Sequence, residues 1–114
     1  MASTISKYIG ENVGIKVTVT NKGLSAIGIE INVALTQNGT IKGTPQGKSV
    51  LLDPGKSYTL DVLYGTSGFT EGTYNLYVWV NDARTGRKVA EKLFTGVVKL
   101  YAPVQVEITS YDLY

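Results

Sequence analysis

The chain has 114 residues, a formal charge of +2, and neither cysteine nor histidine. Its length is near the commonest domain size, and it reads as one domain that hides about two-thirds of its unfolded surface and needs no covalent staple. Without Cys or His there are no disulfides, no usual zinc or copper ligands and no nucleophile–imidazole catalysis, so no cofactor is expected.

The basic residues are scattered singly except for Arg84, Arg87 and Lys88. A phosphate-backbone binder gathers its Lys and Arg on one face, so nucleic acid is not an expected partner. Charged residues make up 18% of the chain, below the usual ~25%, and Thr, Asn, Tyr and Gly replace them. That exchange suits a surface facing other protein or a harsh medium. No apolar run approaches the ~20 residues that span a bilayer, and no signal-peptide pattern is present.

In chain order, residues 1–10 come first, ahead of the sandwich expected over 11–114, with Ile5, Tyr8 and Ile9 at helical spacing and Gly10 in the position of a cap. They read as the end of a helix, a frayed tail or a first strand. Val13, Ile15, Val17 and Val19 then alternate with small or polar residues, the pattern of a strand buried on one face. Asn21-Lys22-Gly23 turns the chain. Ile27 to Leu35 gives the longest clean alternation, and Asn38-Gly39 ends it as a hairpin turn. Thr40 to Lys48 carries Pro45 and reads as a loop with at most a short edge strand. Val50 to Leu52 is a short strand, and Asp53-Pro54-Gly55-Lys56 fits a type II turn.

Tyr58, Leu60, Val62 and Tyr64 alternate as the next strand. From Gly72 to Asn81, Tyr74, Leu76, Val78 and Val80 share a core face; Tyr77 and Trp79, the only Trp, share the other with Asn75 and Asn81. Beyond the 81–86 turn, Val89 to Phe94 form a charged strand with the look of an edge. Gly96 marks a bulge or bend before Val97 to Tyr101. Val104, Val106 and Ile108 alternate as a last strand. Seven to nine strands at roughly ten-residue spacing, without connecting helices, predict an all-β antiparallel sandwich, with a closed barrel as the alternative.

No residue set encodes a chemistry, and no enzyme activity is expected. The acidic residues sit in turns or on solvated strand faces. Asp82, Glu71 and Asn81 flank one strand, where a calcium site is conceivable, but no dense Asp/Asn loop accompanies them. Tyr77 and Trp79 form an aromatic strip suited to a protein partner or a sugar ring, or else to burial. Val97, Val98, Leu100 and Tyr101 read either as a strand buried on both faces or as an apolar assembly patch. The candidate protein interface is therefore Val97, Val98 and Tyr101, or Tyr77 and Trp79. Asn38-Gly39-Thr40 fits the glycosylation acceptor pattern and equally an ordinary hairpin turn.

Tyr74, two residues after Gly72 at the start of a late strand, resembles the tyrosine corner of immunoglobulin-like sandwiches, whose hydroxyl bonds back to the connecting loop. The antibody disulfide and buried strand-C Trp are absent, which excludes an immunoglobulin proper. Three pieces occur in order: Val17-Thr18-Val19-Thr20-Asn21-Lys22-Gly23, then Leu52-Asp53-Pro54-Gly55-Lys56-Ser57, then Glu71-Gly72-Thr73-Tyr74. Across residues 13 to about 82 this resembles the immunoglobulin-like adhesion modules of archaeal and bacterial surface proteins, the CARDB-like group.

A narrower resemblance is to archaeal pilin-like proteins, in which a hydrophobic helix leads directly into a sandwich that opens with Gly, alternating Val and Ile, then Asn-x-Gly. The small sandwich is similar to archaellum accessory proteins of the FlaF/FlaG type; archaellins and adhesion pilins share the plan. The resemblance implies a membrane helix of which residues 3–9 would be the end, and a place between membrane and S-layer. It also implies a static anchoring or stator role, with an S-layer protein, another filament subunit or further copies of the chain as partners. A carbohydrate-binding module using Tyr77 and Trp79, and a virion or surface-layer structural module, are the alternatives.

Overall fold

A strand with one apolar face is stable only when a second layer covers that face, and the alternating segments of this chain form two such layers. The computed structural model describes residues 4–103 and 106–114. Its strands are β1 (Ile5–Tyr8), β2 (Val13–Thr20), β3 (Ile27–Gln37), β4 (Thr40–Leu52), β5 (Ser57–Tyr64), β6 (Gly72–Asp82) and β7 (Lys88–Tyr101). Five of them make one sheet in the order β1-β7-β6-β3-β4, and β2 and β5 make the other. The protein is an all-β sandwich, as the alternation predicts. Ile29, Ile31, Val33 and Leu35 of β3 meet Val13, Ile15, Leu60 and Tyr64 of the small sheet in one core, joined by Tyr74, Val78 and Val98.

Most of the turn chemistry is realised as read. Asn38 and Gly39 take positive φ of 53° and 77° between the paired ends Gln37 and Thr40, a two-residue hairpin loop. Gly55 has φ 77°, and the Lys56 amide donates to the Asp53 carbonyl at 3.1 Å, as a type II turn requires. Gly96, φ 64°, sits where the β6–β7 register slips between Tyr74 and Leu76, and its amide donates to Asn75 Oδ1 at 2.8 Å. The Tyr74 hydroxyl donates to the Thr70 carbonyl at 2.7 Å, the corner bond expected of it.

One open reading is decided and two expectations are corrected. Of the three readings of the first residues, 5–8 take that of a first strand: β1 runs parallel to β7, with Ile5 opposite Val98 and Tyr8 opposite Tyr101. A single helical turn has almost no stability of its own, whereas the free edge of β7 offers a ready ladder. Residues 1–3, the start of the stretch read as helical, lie outside the described residues. Thr40 to Lys48 is not a loop but most of β4, a thirteen-residue strand. Pro45 is tolerated because β4 is an edge strand and the ladder steps from Gln46 opposite Val33 to Lys42 opposite Leu35, which leaves Pro45 in a bulge. The last strand, read from Val104 to Ile108, is not found among the described residues: 104 and 105 lie outside them, and 106–114 carry no strand. β1 occupies the outer edge of β7 along Val98–Tyr101.

Polar pins fix the connections. Thr66, fully buried, donates to the Glu11 carbonyl at 2.6 Å and accepts from the Gly10 amide at 2.9 Å, tying the β1–β2 link to the β5–β6 link. The Tyr64 hydroxyl donates to the Lys42 carbonyl, and burial pushes its pKa above the ordinary value. A group whose folded pKa is raised contributes stability that is complete below its unfolded pKa, about 10 for Tyr, and is lost as pH rises beyond it. The urea midpoint of the protein is therefore expected to fall above pH 10, and to fall less in Tyr64→Phe. Parallel midpoints for the two proteins from pH 8 to 11 would show that Tyr64 is not the group responsible.

Candidate assembly surface

The small sheet has only two strands, so β2 and β5 each have a side that their mutual ladder does not use. On the β5 side lies β4: Tyr64 bonds to Lys42, and a Cβ at Gly43 would come within 3.1 Å of the Tyr64 ring. β2 pairs with β5 from Val13–Tyr64 through Thr20–Ser57 with no register slip, and no other strand pairs with it among the described residues. Its opposite edge is therefore open along eight residues. Two other edges are blunted, β4 by Pro45 and its bulge and β1 by its four-residue length. β2 has neither device: it is regular, rich in β-branched residues, and carries a single charge, Lys16.

Beside this edge the two sheets do not close. An apolar trough of about 330 Å³ lies between β2 and the facing sheet, with Leu35, Leu76, Phe94, Val97 and Val98 among its walls. A second hollow, of about 290 Å³, continues it past Val17 and Phe94 toward Val78, Val80 and Ala90. The consequence shows in β2 itself, where Val13 and Ile15 are buried while Val17 and Val19, further along, are only half-buried. Residues 88–94 of β7 border the same opening with no partner on that side among the described residues, the edge character that their charges suggest.

The predicted interface residues fall in two places. Val97 and Val98 both line the trough, but Val98 is 3% exposed and belongs to the core, while Val97 is half-buried. Tyr101 is 45% exposed and sits apart, beside β1 at the far end of β7. Tyr77 and Trp79 lie on the outer face of the five-stranded sheet, half-buried and stacked on one another with centroids 5.0 Å apart and planes 19° from parallel. Lys88 Nζ lies 5.5 Å from the Tyr77 ring centroid and donates to its hydroxyl at 2.8 Å; that hydroxyl donates to Glu91 Oε1 at 3.0 Å. Lys88 and Glu91 also pair directly at 3.2 Å. The bond to Tyr77 is the main reason the Lys88 pKa is raised and the Glu91 pKa lowered. Tyr77 is thus engaged by Trp79, Lys88 and Glu91, and a ligand would have to displace these contacts to reach it.

The residues weighed for calcium have other occupations. Asp82 Oδ1 accepts from the Arg84 amide at 2.8 Å, Glu71 Oε2 from the Ala102 amide at 2.8 Å, and Asn81 reaches Glu30 at 3.4 Å. Asn38 is exposed at its hairpin tip. Sequence reasoning missed the β2 edge, because alternation reveals a strand's buried face and not whether its ladder is occupied. The chain matches no protein-family model, and no curated protein matches it.

Proposed function

We propose that this is a non-enzymatic structural domain that works by protein–protein assembly, with an immunoglobulin-like strand arrangement. One observation carries the reading: a regular, nearly uncharged edge strand borders an uncovered apolar trough between the two sheets. Open, flat strand edges pair with other chains, and soluble proteins normally blunt them. Apolar surface left beside such an edge favours association in proportion to the area buried. The similarity of the three turn segments to pilin-like and CARDB-like modules supports a setting outside the cytoplasmic membrane, as an anchoring or stator component of an archaeal surface filament, with another copy or an S-layer protein as partner.

Light scattering over a wide concentration range, at neutral and acidic pH, tests the assembly reading. Dimers or filaments that grow with concentration are expected, and Val97→Lys, placing a charge in the trough wall, is expected to weaken association at least tenfold while the far-ultraviolet spectrum stays β-rich. A strict monomer throughout would refute self-assembly and leave a heterologous partner to be sought.

A further inference from the structure

Resting on that assembly reading, we propose that residues 106–114 of one copy add as a strand to the open β2 edge of a second copy and close its trough. The segment has the features of a strand that lacks only a sheet. Val106 and Ile108 alternate with Glu107 and Thr109, and Tyr111 and Leu113 follow after a one-residue step. These four apolar side chains are between 83% and 91% exposed. The protein is 83 Å long and only 22 × 20 Å in cross-section. Its longest strand, fourteen residues, accounts for about 46 Å of that length at ~3.3 Å per residue, so the segment projects away from the body.

Donor and acceptor match in length, polarity and charge. Nine extended residues span about 30 Å, and the eight of β2 about 26 Å. A strand laid against β2 directs alternate side chains into the trough, where Val106 and Ile108 would meet Val17, Phe94 and Val97, and a bulge at Thr109-Ser110 brings Tyr111 and Leu113 to the same face. Glu107 then lies on the same outer face as Lys16, the one charge of β2, whose present partner Asp61 is a loose 3.9 Å away. Main-chain bonds supply affinity and the alternate pockets supply register, as in other cases of strand addition to a sheet edge. Each copy offers one donor and one acceptor at different places on its surface, so the contact is heterologous and propagates head to tail into a ring or an open filament.

The test compares the full chain, the full chain carrying Ile108→Asp, and a chain ending at Gln105, which loses only exposed residues. The full chain is expected to associate with concentration, and both variants to need at least 100-fold higher concentration. For contact at the atomic level, Glu107→Cys in the full chain is mixed with the shortened chain carrying Gly14→Cys, Lys16→Cys or Thr18→Cys in turn. The native chain has no cysteine, so a disulfide-linked pair that forms on oxidation with one of these positions reports strand addition between copies. Association that survives both the truncation and Ile108→Asp overturns strand addition but leaves the assembly reading standing. A full chain that stays monomeric at every concentration overturns strand addition and self-assembly alike, and leaves the assembly reading only a heterologous partner. An intrachain disulfide in Lys16→Cys/Glu107→Cys at high dilution, with no linked pair in the mixture, shows the segment covering its own trough and overturns the proposal.

Discussion

Val98→Lys is expected to unfold the domain, whereas the same substitution one residue earlier leaves it folded and impairs assembly. Val98 is 3% exposed, lies opposite Ile5 on one side and Tyr74 on the other, and belongs to the same core as Tyr74. A lysine there must carry its ammonium into an apolar interior or drive the sheets apart. Burying an unpaired charge costs several kcal/mol, here about 4 kcal/mol or more, against a total stability of roughly 5–15 kcal/mol for a domain of ordinary size. Val97 points the other way in consequence if not in chemistry. It is half-buried at the trough wall, so a lysine stem can lie along the apolar surface with its head in water. Thermal melts followed by circular dichroism separate the two: no cooperative transition at 25 °C or above for Val98→Lys, and a transition within a few degrees of the parent for Val97→Lys. Equal melting temperatures would mean that β7 does not sit with Val98 in the core.

The contrast shows what a linear sequence reveals about such a surface. Val97 and Val98 are chemically identical neighbours, so the run reads as apolar on both faces, and only the Gly96 bulge with the β6–β7 register decides which valine enters the core. Local chemistry was legible wherever one or two residues determine a conformation, as in Asn38-Gly39, Pro54-Gly55 and the Tyr74 corner. It failed where a distant partner decides. Pro45 argued against a strand, yet a bulge and an edge position accommodate it. Ile5, Tyr8 and Ile9 satisfied a helical spacing, but so few residues fit a strand equally well, and β7 supplied the ladder. The alternation at Val106 and Ile108 reads as a strand, and the structure shows that segment without a sheet. The open β2 edge is the complementary case, a strand fully legible in its own residues whose missing neighbour leaves no trace in them.

Asn21→Ala is expected to lower stability by about 2–4 kcal/mol without changing either sheet's residues. The sequence marks Asn21 as a turn residue, but the structure makes it a clamp between the layers. Its Nδ2 donates to the Leu52 carbonyl at the end of β4 and to the Ser25 carbonyl, each at 2.9 Å, and its Oδ1 accepts from the Gly23 amide at 2.8 Å. Its own amide donates to the Lys56 carbonyl at 2.9 Å, and its carbonyl accepts from the Gly55 amide at 2.8 Å. The side chain thus joins the end of β2, in the small sheet, to the end of β4, in the large one. Alanine removes all three side-chain bonds to the backbone, one of them buried. Asn21→Asp sharpens the test because it keeps the acceptor for Gly23 but turns a carboxylate toward two carbonyl oxygens. That setting favours the protonated acid, which raises the folded-state pKa above the unfolded value of about 3.9. The clamp is then present below the unfolded pKa and lost as pH rises through the folded one. Relative to the parent, the Asp variant is expected to be destabilised more at pH 7 than at pH 3.5, while the Ala variant shows the same deficit at both. Urea midpoints at the two pH values decide it: equal deficits for Asp and Ala at both would show that the Leu52 and Ser25 carbonyls are not held against this side chain.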